Sequence, residues 1–231
     1  MIGSQDVCSG FFVTQRYVTQ ASQSSWDRRA ELDVFLATPS AQSACGMEDF
    51  MKVVDMHCDT IAALYENKEK GWTLQDNRLH IRLDKMKQGD YLLQNFALFV
   101  CIENCEDPYQ QALTLADCFD RQMALFPEQI GQVRCYNDIL ENQKNGRMSA
   151  LLTIEEGAVC QGSLEKLREF YDRGVRMLTL TWNFPNEIGF PNFGISGDGK
   201  PDRTVPNTKD GLTEFGFLFL EEMERLGMIV D

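Results

Sequence analysis

Residues 52–60 read Lys-Val-Val-Asp-Met-His-Cys-Asp-Thr, a short β-branched run that ends in a His-x-Asp pair. The run predicts a buried strand over Val53–Cys58. Residues two apart on a strand point to the same side, so His57 and Asp59 are expected to reach one point. Their imidazole and carboxylate are zinc-type ligands. The alternative is structural: His57 lies in the core, and Asp59 caps the helix that begins at Thr60.

Strand and helix signals alternate after this pair. Four more apolar strands are predicted, with helices between them: Tyr91–Ile102, Ala150–Ile154, Val175–Thr181 and Met228–Val230. This alternation indicates a parallel sheet covered by helices, which fits a doubly wound sheet or a (β/α)₈ barrel. No Gly-x-Gly-x-x-Gly follows the first strand, which disfavours a dinucleotide fold.

The candidate polar residues favour the barrel, because they follow the C-terminal ends of several strands. They are His57, Asp59, Glu155, Asn183 and Asp231. The predicted fold class is therefore α/β, of the (β/α)₈ TIM-barrel type. About five strands are predicted after Met51, whereas a barrel needs eight. We therefore expect a barrel truncated to its N-terminal five or so strands.

The segment before this pattern has a different composition. Residues 1–50 are rich in Ser, Gln, Ala and Thr and show no sustained period. We expect a leader outside the fold, compatible with disorder. Residues 51–231 are expected to form the barrel portion. Within that portion, the Gly/Pro/Asn-rich segment from Asn183 to Gly211 is predicted to be a functional loop.

Composition limits the partners of this 231-residue chain. Its net charge is −13, and an acidic surface repels nucleic acid and anionic membranes, so neither is an expected partner. No apolar run approaches the ~20 residues of a membrane span, and the first residues lack a secretory signal. The eight cysteines are interpreted as reduced thiols, several of them buried, in a cytoplasmic protein.

Two further segments carry candidate site residues. Glu155 and Glu156 end the third strand, so one carboxylate is expected to face the barrel mouth and the other water. The inward carboxylate could bridge two cations roughly 3.5–4 Å apart, although a solvated acidic turn is the alternative. Trp182 and Asn183 end the fourth strand and could line a substrate pocket, or Trp182 could cover the core. Asp55 could orient a metal ligand through a hydrogen bond.

Four segments carry short motifs in a fixed order. Val54–Thr60 contains D-x-H-x-D, Ala150–Gly157 is similar to A-L-x-x-x-E-G-G, and Arg173–Asn183 is similar to G-V-R-x-x-T-L-T-H-N. Gly211–Asp231 is similar to G-L-T-x-F-G followed by E-M-x-R-L-G-M-x-x-D. Together they resemble the metallo-dipeptidase family typified by membrane (renal) dipeptidase, peptidase family M19.

The resemblance implies zinc-dependent hydrolysis of small dipeptides by a water that bridges two zinc ions. His57 and Asp59 would bind one ion, and Glu155 would bridge both. Glu155 and Asp59 are accordingly the predicted catalytic residues, and Trp182 and Asn183 the predicted substrate-binding residues. A homodimer is compatible with this assignment.

The chain departs from the family pattern in several positions. Trp182 stands where the family has His, Glu156 where it has Gly, and Ala158 where His often follows. The later histidine ligands of the family would come after Asp231, so we expect this chain alone to bind metal weakly and to turn over little. Two alternatives stay open: a non-catalytic truncated barrel or binding module, and another binuclear amidohydrolase. The latter more often opens with His-x-His.

Overall fold

Strands and helices alternate along residues 52–231, the part of the chain that this computed structural model describes. The strands are β1 (Val53–Asp55), β2 (Tyr91–Phe99), β3 (Ile130–Val133), β4 (Met148–Glu155), β5 (Val175–Thr179), β6 (Phe193–Ile195), β7 (Pro201–Pro206) and β8 (Ile229–Val230). The α-helices are α1 (Thr60–Glu66), α2 (Leu83–Gln88), α3 (Pro108–Leu125), α4 (Tyr136–Lys144), α5 (Leu164–Asp172) and α6 (Glu214–Leu226). The predicted leader lies outside the described residues.

The main sheet is parallel and has the order β1-β2-β4-β5-β8. Strand β3 joins it at the side of β4, where it pairs with the first half of that strand, while β5 pairs with the second half. The chain crosses from one parallel strand to the next through helices, as parallel pairing requires. This α/β arrangement matches part of a (β/α)₈-type barrel, the alternative that the polar residues at the strand ends favoured.

The two faces of the sheet carry different clusters of buried side chains. The larger core includes Phe96 of β2 and Ile154 of β4, packed under the helices. A smaller cluster is formed by Leu93, Val133, Ile139 and Leu151. Because alternate residues of a strand point to opposite faces, Leu151 and Glu155 share one face of β4. Ile154 and the larger core lie on the other face.

Side-chain caps define where the two longest helices, α3 and α6, begin. The Asp107 carboxylate accepts the N–H of Gln110 at 3.1 Å and caps α3. The Thr213 hydroxyl accepts the N–H of Gly216 at 2.9 Å and caps α6, which ends at Gly227 with a φ of 73°. Each cap supplies an acceptor to an otherwise unpaired first-turn N–H. Within residues 52–231, no helix has the length and apolarity needed to cross a membrane.

Two predicted segments differ from the structure. Strand β1 ends at Asp55 rather than Cys58, so His57 and Asp59 lie in the following loop. The predicted loop from Asn183 to Gly211 contains the antiparallel hairpin β6-β7. Strand β3, with the sequence Ile-Gly-Gln-Val, was not predicted, because four residues with a central Gly-Gln give no clear strand period.

Candidate metal centre

Two chain segments bring the first candidate residues to one edge of the sheet. His57 and Asp59 lie in the loop between β1 and α1, and Glu155 is the last residue of β4. Strand β2 lies between β1 and β4 and pairs with both, with Phe99 opposite Glu155. The loop after β1 is held to this edge by a hydrogen bond from the N–H of Ala97 to the carbonyl of Cys58, at 3.0 Å.

The three side chains converge as predicted, although not through a shared strand face. The His57 Nε2 atom lies 3.0 Å from Glu155 Oε2 and 3.3 Å from Asp59 Oδ1. One ligand atom from each residue lies within 4.8 Å of the others, and no other such group of three is found in the described residues. One nitrogen and two carboxylate oxygens form a donor set suited to zinc. Their role as metal ligands stays a prediction.

Negative charge accumulates around Glu155. Partial burial raises the pKa of its carboxyl group, and the nearby carboxylates of Asp59 and Asp231 raise it further, whereas His57 lowers it. Converging carboxylates repel one another unless a proton or a cation is shared between them. The repulsion between these carboxylates therefore favours binding of a cation at the site. The side chains of His57 and Asp59 are 47% and 56% exposed, so a solute can reach them.

Asp231 is a neighbour of Glu155, and the sequence did not reveal this proximity. Its carboxylate accepts a hydrogen bond from the Thr179 hydroxyl at 2.6 Å, and its N–H donates to the carbonyl of Leu178 at 3.1 Å. These bonds extend the pairing of β8 with β5 to the site edge. The position of Asp231 at a strand end was predictable, but its proximity to Glu155 depends on the order β4-β5-β8.

The structure distinguishes the alternatives for Asp59 and Asp55. Asp59 occupies the cap position of α1, but its side chain makes no capping hydrogen bond. It faces His57 instead, which supports the site interpretation over the capping one. The Asp55 carboxylate accepts the backbone N–H of His57 at 3.2 Å. Asp55 therefore holds the main chain of the loop. Direct orientation of the ligand would instead need a hydrogen bond from Asp55 to the imidazole ring.

The prediction that the second carboxylate of the Glu pair faces water is wrong. Glu156 follows the last residue of β4 and is fully buried, because its carboxylate turns toward the main chain at Trp182 rather than toward solvent. Its Oε2 accepts the backbone N–H of Trp182 at 2.9 Å, and within residues 52–231 its Oε1 has no hydrogen-bond partner. Burial raises the pKa of this carboxyl group to about 7.

Trp182, one of the two predicted substrate-binding residues, lies beside the three converging residues. The Trp182 ring packs edge-on against Phe99, with 5.2 Å between ring centroids and an interplanar angle of 73°. Phe99 pairs with Glu155 across the strands, which places Trp182 next to the candidate centre. Asn183 follows and is partly buried. The part of these two residues in substrate binding stays a prediction.

Comparisons with known proteins agree with this geometry. The family model for membrane dipeptidase, peptidase family M19, matches residues 42–231. An uncharacterized dipeptidase of Schizosaccharomyces pombe is 32% identical over 163 residues, which cover 66% of this chain and 37% of that protein. Dipeptidase 3 of Rattus norvegicus is 30% identical over 200 residues, which cover 82% of this chain and 38% of the rat protein.

A solved dipeptidase of family M19 has the same fold. It superposes with a TM-score of 0.66 and 24% identity, covering 78% of this chain and 56% of the solved chain. The chain spans less than two fifths of the length of the S. pombe and rat relatives. The family model covers most of the chain, and the strand order, the motifs and the converging residues agree with it. This chain therefore belongs to the membrane dipeptidase family, peptidase family M19.

Proposed function

We propose that this chain takes part in the zinc-dependent hydrolysis of dipeptides. The convergence of His57, Asp59 and Glu155 carries the proposal, because an imidazole and two carboxylates meet at a solvent-accessible position at the strand ends. Membership of the metallo-dipeptidase family supports the reaction class. The S. pombe and rat relatives are both named as dipeptidases. A dipeptide is therefore the proposed substrate.

The residues present fit the proposed metal. His57 and Asp59 would hold one zinc ion, and Glu155, which has two carboxylate oxygens, would be shared with a second. When bound, such ions lower the pKa of a coordinated water and polarise the carbonyl of the bond to be cleaved. The raised pKa of Glu155 in the protein alone supports this, since its cause is partial burial together with the neighbouring carboxylates of Asp59 and Asp231. A bound cation would remove that repulsion.

The chain's own side chains would position and enclose the substrate. The Trp182 ring, held against Phe99, would form an apolar wall beside the metal ligands. Its main chain is tied to the end of β4 by the buried carboxylate of Glu156. A rigid wall next to the reacting centre restricts the positions that a small substrate can adopt. Trp182 and Asn183 are therefore the proposed substrate contacts.

Zinc binding by the purified chain tests the proposed ligands. We expect Asp59→Asn and Glu155→Gln each to weaken zinc binding at least tenfold, measured by competition with a chromophoric chelator. Glu141→Gln, which neutralises an exposed carboxylate on α4, is the matched control and should bind zinc as the wild type does. Equal zinc affinity in all four proteins would overturn the assignment of the ligands.

The reaction is tested separately with a panel of dipeptides and zinc in excess. Release of free amino acids, even at the low rate expected of this chain alone, that is abolished by Glu155→Gln supports dipeptide hydrolysis. Zinc binding that depends on Asp59 and Glu155 without any release of amino acids would contradict the proposed reaction and favour a non-catalytic metal-binding role.

A further inference from the structure

A cavity lies at the amino ends of the strands, opposite the candidate metal centre. Its volume is about 310 Å³. Its lining comes from the residue before β1, the beginnings of β2 and β4, and the ends of α2 and α4: Lys52, Lys87, Asp90, Tyr91, Leu92, Gln143, Gly146, Arg147 and Met148. Strand β4 has eight residues, so at about 3.3 Å per residue its two ends are roughly 25 Å apart. The cavity is therefore separate from the metal centre.

The charge of this cavity is opposite to that of the whole chain. The net charge of the chain is −13, yet the cavity is lined by two lysines and an arginine against one carboxylate. Lys52 is paired with that carboxylate, with 2.6 Å between its Nζ and Asp90 Oδ1. Within residues 52–231, Lys87 and Arg147 form no salt bridge to offset their charge. Two positive charges thus remain at the cavity.

Arg147 carries an unused donor at this place. Its Nη1 donates to the carbonyl of Pro127 at 3.3 Å, whereas its Nε is buried without a partner among the described residues. Leaving a buried donor unpaired costs about 1–3 kcal/mol, more for a charged group. An ordered water or a bound anion can supply the acceptor that such a donor lacks. A guanidinium offers its donors as a fork that matches two oxygens of a phosphate or carboxylate.

The size and lining of the cavity restrict the ligand further. Tyr91, Leu92 and Met148 add an aromatic ring and apolar surface to the basic groups. A bare phosphate ion would leave that surface without a contact. We propose that this cavity binds a small organic phosphate monoester, with the phosphate at Arg147 and Lys87 and the organic group against Tyr91.

Calorimetric titration of the full chain with phenyl phosphate, in phosphate-free buffer, tests the site. We expect binding that weakens at least tenfold in Arg147→Met and in Lys87→Met, and that weakens as salt is added. Arg121→Met and Lys209→Met remove the same charges from exposed positions outside the cavity and should leave binding unchanged. Zinc binding should be unaffected in all four variants.

Two results would overturn the proposal. One is failure of the site itself: phenyl phosphate does not bind, or the cavity and control variants weaken binding equally. Equal weakening would indicate a general charge effect. The other is binding of inorganic phosphate as tight as that of phenyl phosphate, which would leave no role for Tyr91 and its apolar neighbours. Lys87 is exposed, so Lys87→Met stays informative even if Arg147→Met fails to fold.

Discussion

The buried carboxylate of Glu156 accepts the backbone N–H of Trp182 at 2.9 Å and so joins the end of β4 to the loop after β5. Both residues depart from the motifs of the family, and the structure places them in direct contact. The bond fixes the main chain that carries the Trp182 ring against Phe99. One departure therefore supports the position of the other, next to the proposed metal ligands.

Removing this acceptor should loosen the loop. We expect Glu156→Ala to lower the free energy of unfolding by about 1–3 kcal/mol, because the Trp182 N–H loses its partner. Glu156→Gln keeps an acceptor oxygen and should lose less. Urea unfolding measures the stability, and hydrogen exchange of residues 180–189 measures the loosening. Wild-type protection of that segment in Glu156→Ala would show that the bond does not hold it.

A close helix contact makes Gly216 hard to replace. A Cβ atom at this position of α6 would lie 2.0 Å from the carbonyl oxygen of Ile188. Alanine favours a helix over glycine by about 1 kcal/mol, but the clash with main chain should outweigh this. We expect Gly216→Ala to lower the free energy of unfolding by about 1–3 kcal/mol net.

Thermal unfolding with Gly211→Ala as the control checks this expectation. A Cβ at Gly211 meets no atom within 4 Å, so that variant should unfold like the wild type. A melting temperature of Gly216→Ala equal to or above that of Gly211→Ala contradicts the predicted contact between α6 and the loop before it.

Glu222 should make stability depend on acid pH. Hydrogen bonds from Arg225 and Arg168 lower the pKa of Glu222 to about 2, below the ordinary value near 4.3. The folded state therefore favours the ionised form, and this stabilisation is complete above about pH 5 and is lost as the pH falls toward 2. Because both arginines are substantially exposed, we expect only about 1 kcal/mol.

The measurement is urea unfolding of wild type and Glu222→Gln between pH 6 and pH 3. The difference in stability between the two proteins should shrink as the pH is lowered. Glu224→Gln, on an exposed position of the same helix, should show no such trend. A difference that stays constant across this pH range would reject the ionic link between α5 and α6.

Exchange of Trp182 should alter substrate preference in an active protein. Trp182→His replaces the ring that packs on Phe99 with a smaller, polar one. We expect the ratio of kcat/KM between dipeptides with large and small side chains to change, because the apolar wall recedes from the substrate. The same ratio in both proteins would exclude Trp182 from the substrate pocket, without bearing on the metal ligands.

Local sequence signals carried most of the helix assignments. The side chains of Asp107, Ser163 and Thr213 cap α3, α5 and α6, and such caps can be read from the sequence because they join residues two or three positions apart. Strand β3 and the hairpin β6-β7 were missed. Both are short, and each is formed through pairing with another strand rather than through a pattern of its own.

His57, Asp59 and Glu155 come together as predicted, but for a partly different reason, and their role as ligands stays a prediction. His57 and Asp59 were expected to share a strand face, but β1 ends before them. They meet because the loop after β1 turns toward Glu155 at the same edge of the sheet. Glu156 shows another error: it was expected to face water, whereas it is buried and accepts the backbone N–H of Trp182.

The amino-acid order alone determined which residues could act as ligands, where helices begin and end, and that apolar strands alternate with helices. These properties arise from side-chain chemistry and from interactions within a few positions of the chain. Tertiary structure decided which ligands meet, that Asp231 lies near Glu155, and that three basic residues surround one cavity in an acidic protein. Those relationships join residues far apart in the chain, and only strand pairing and burial set the distances between them.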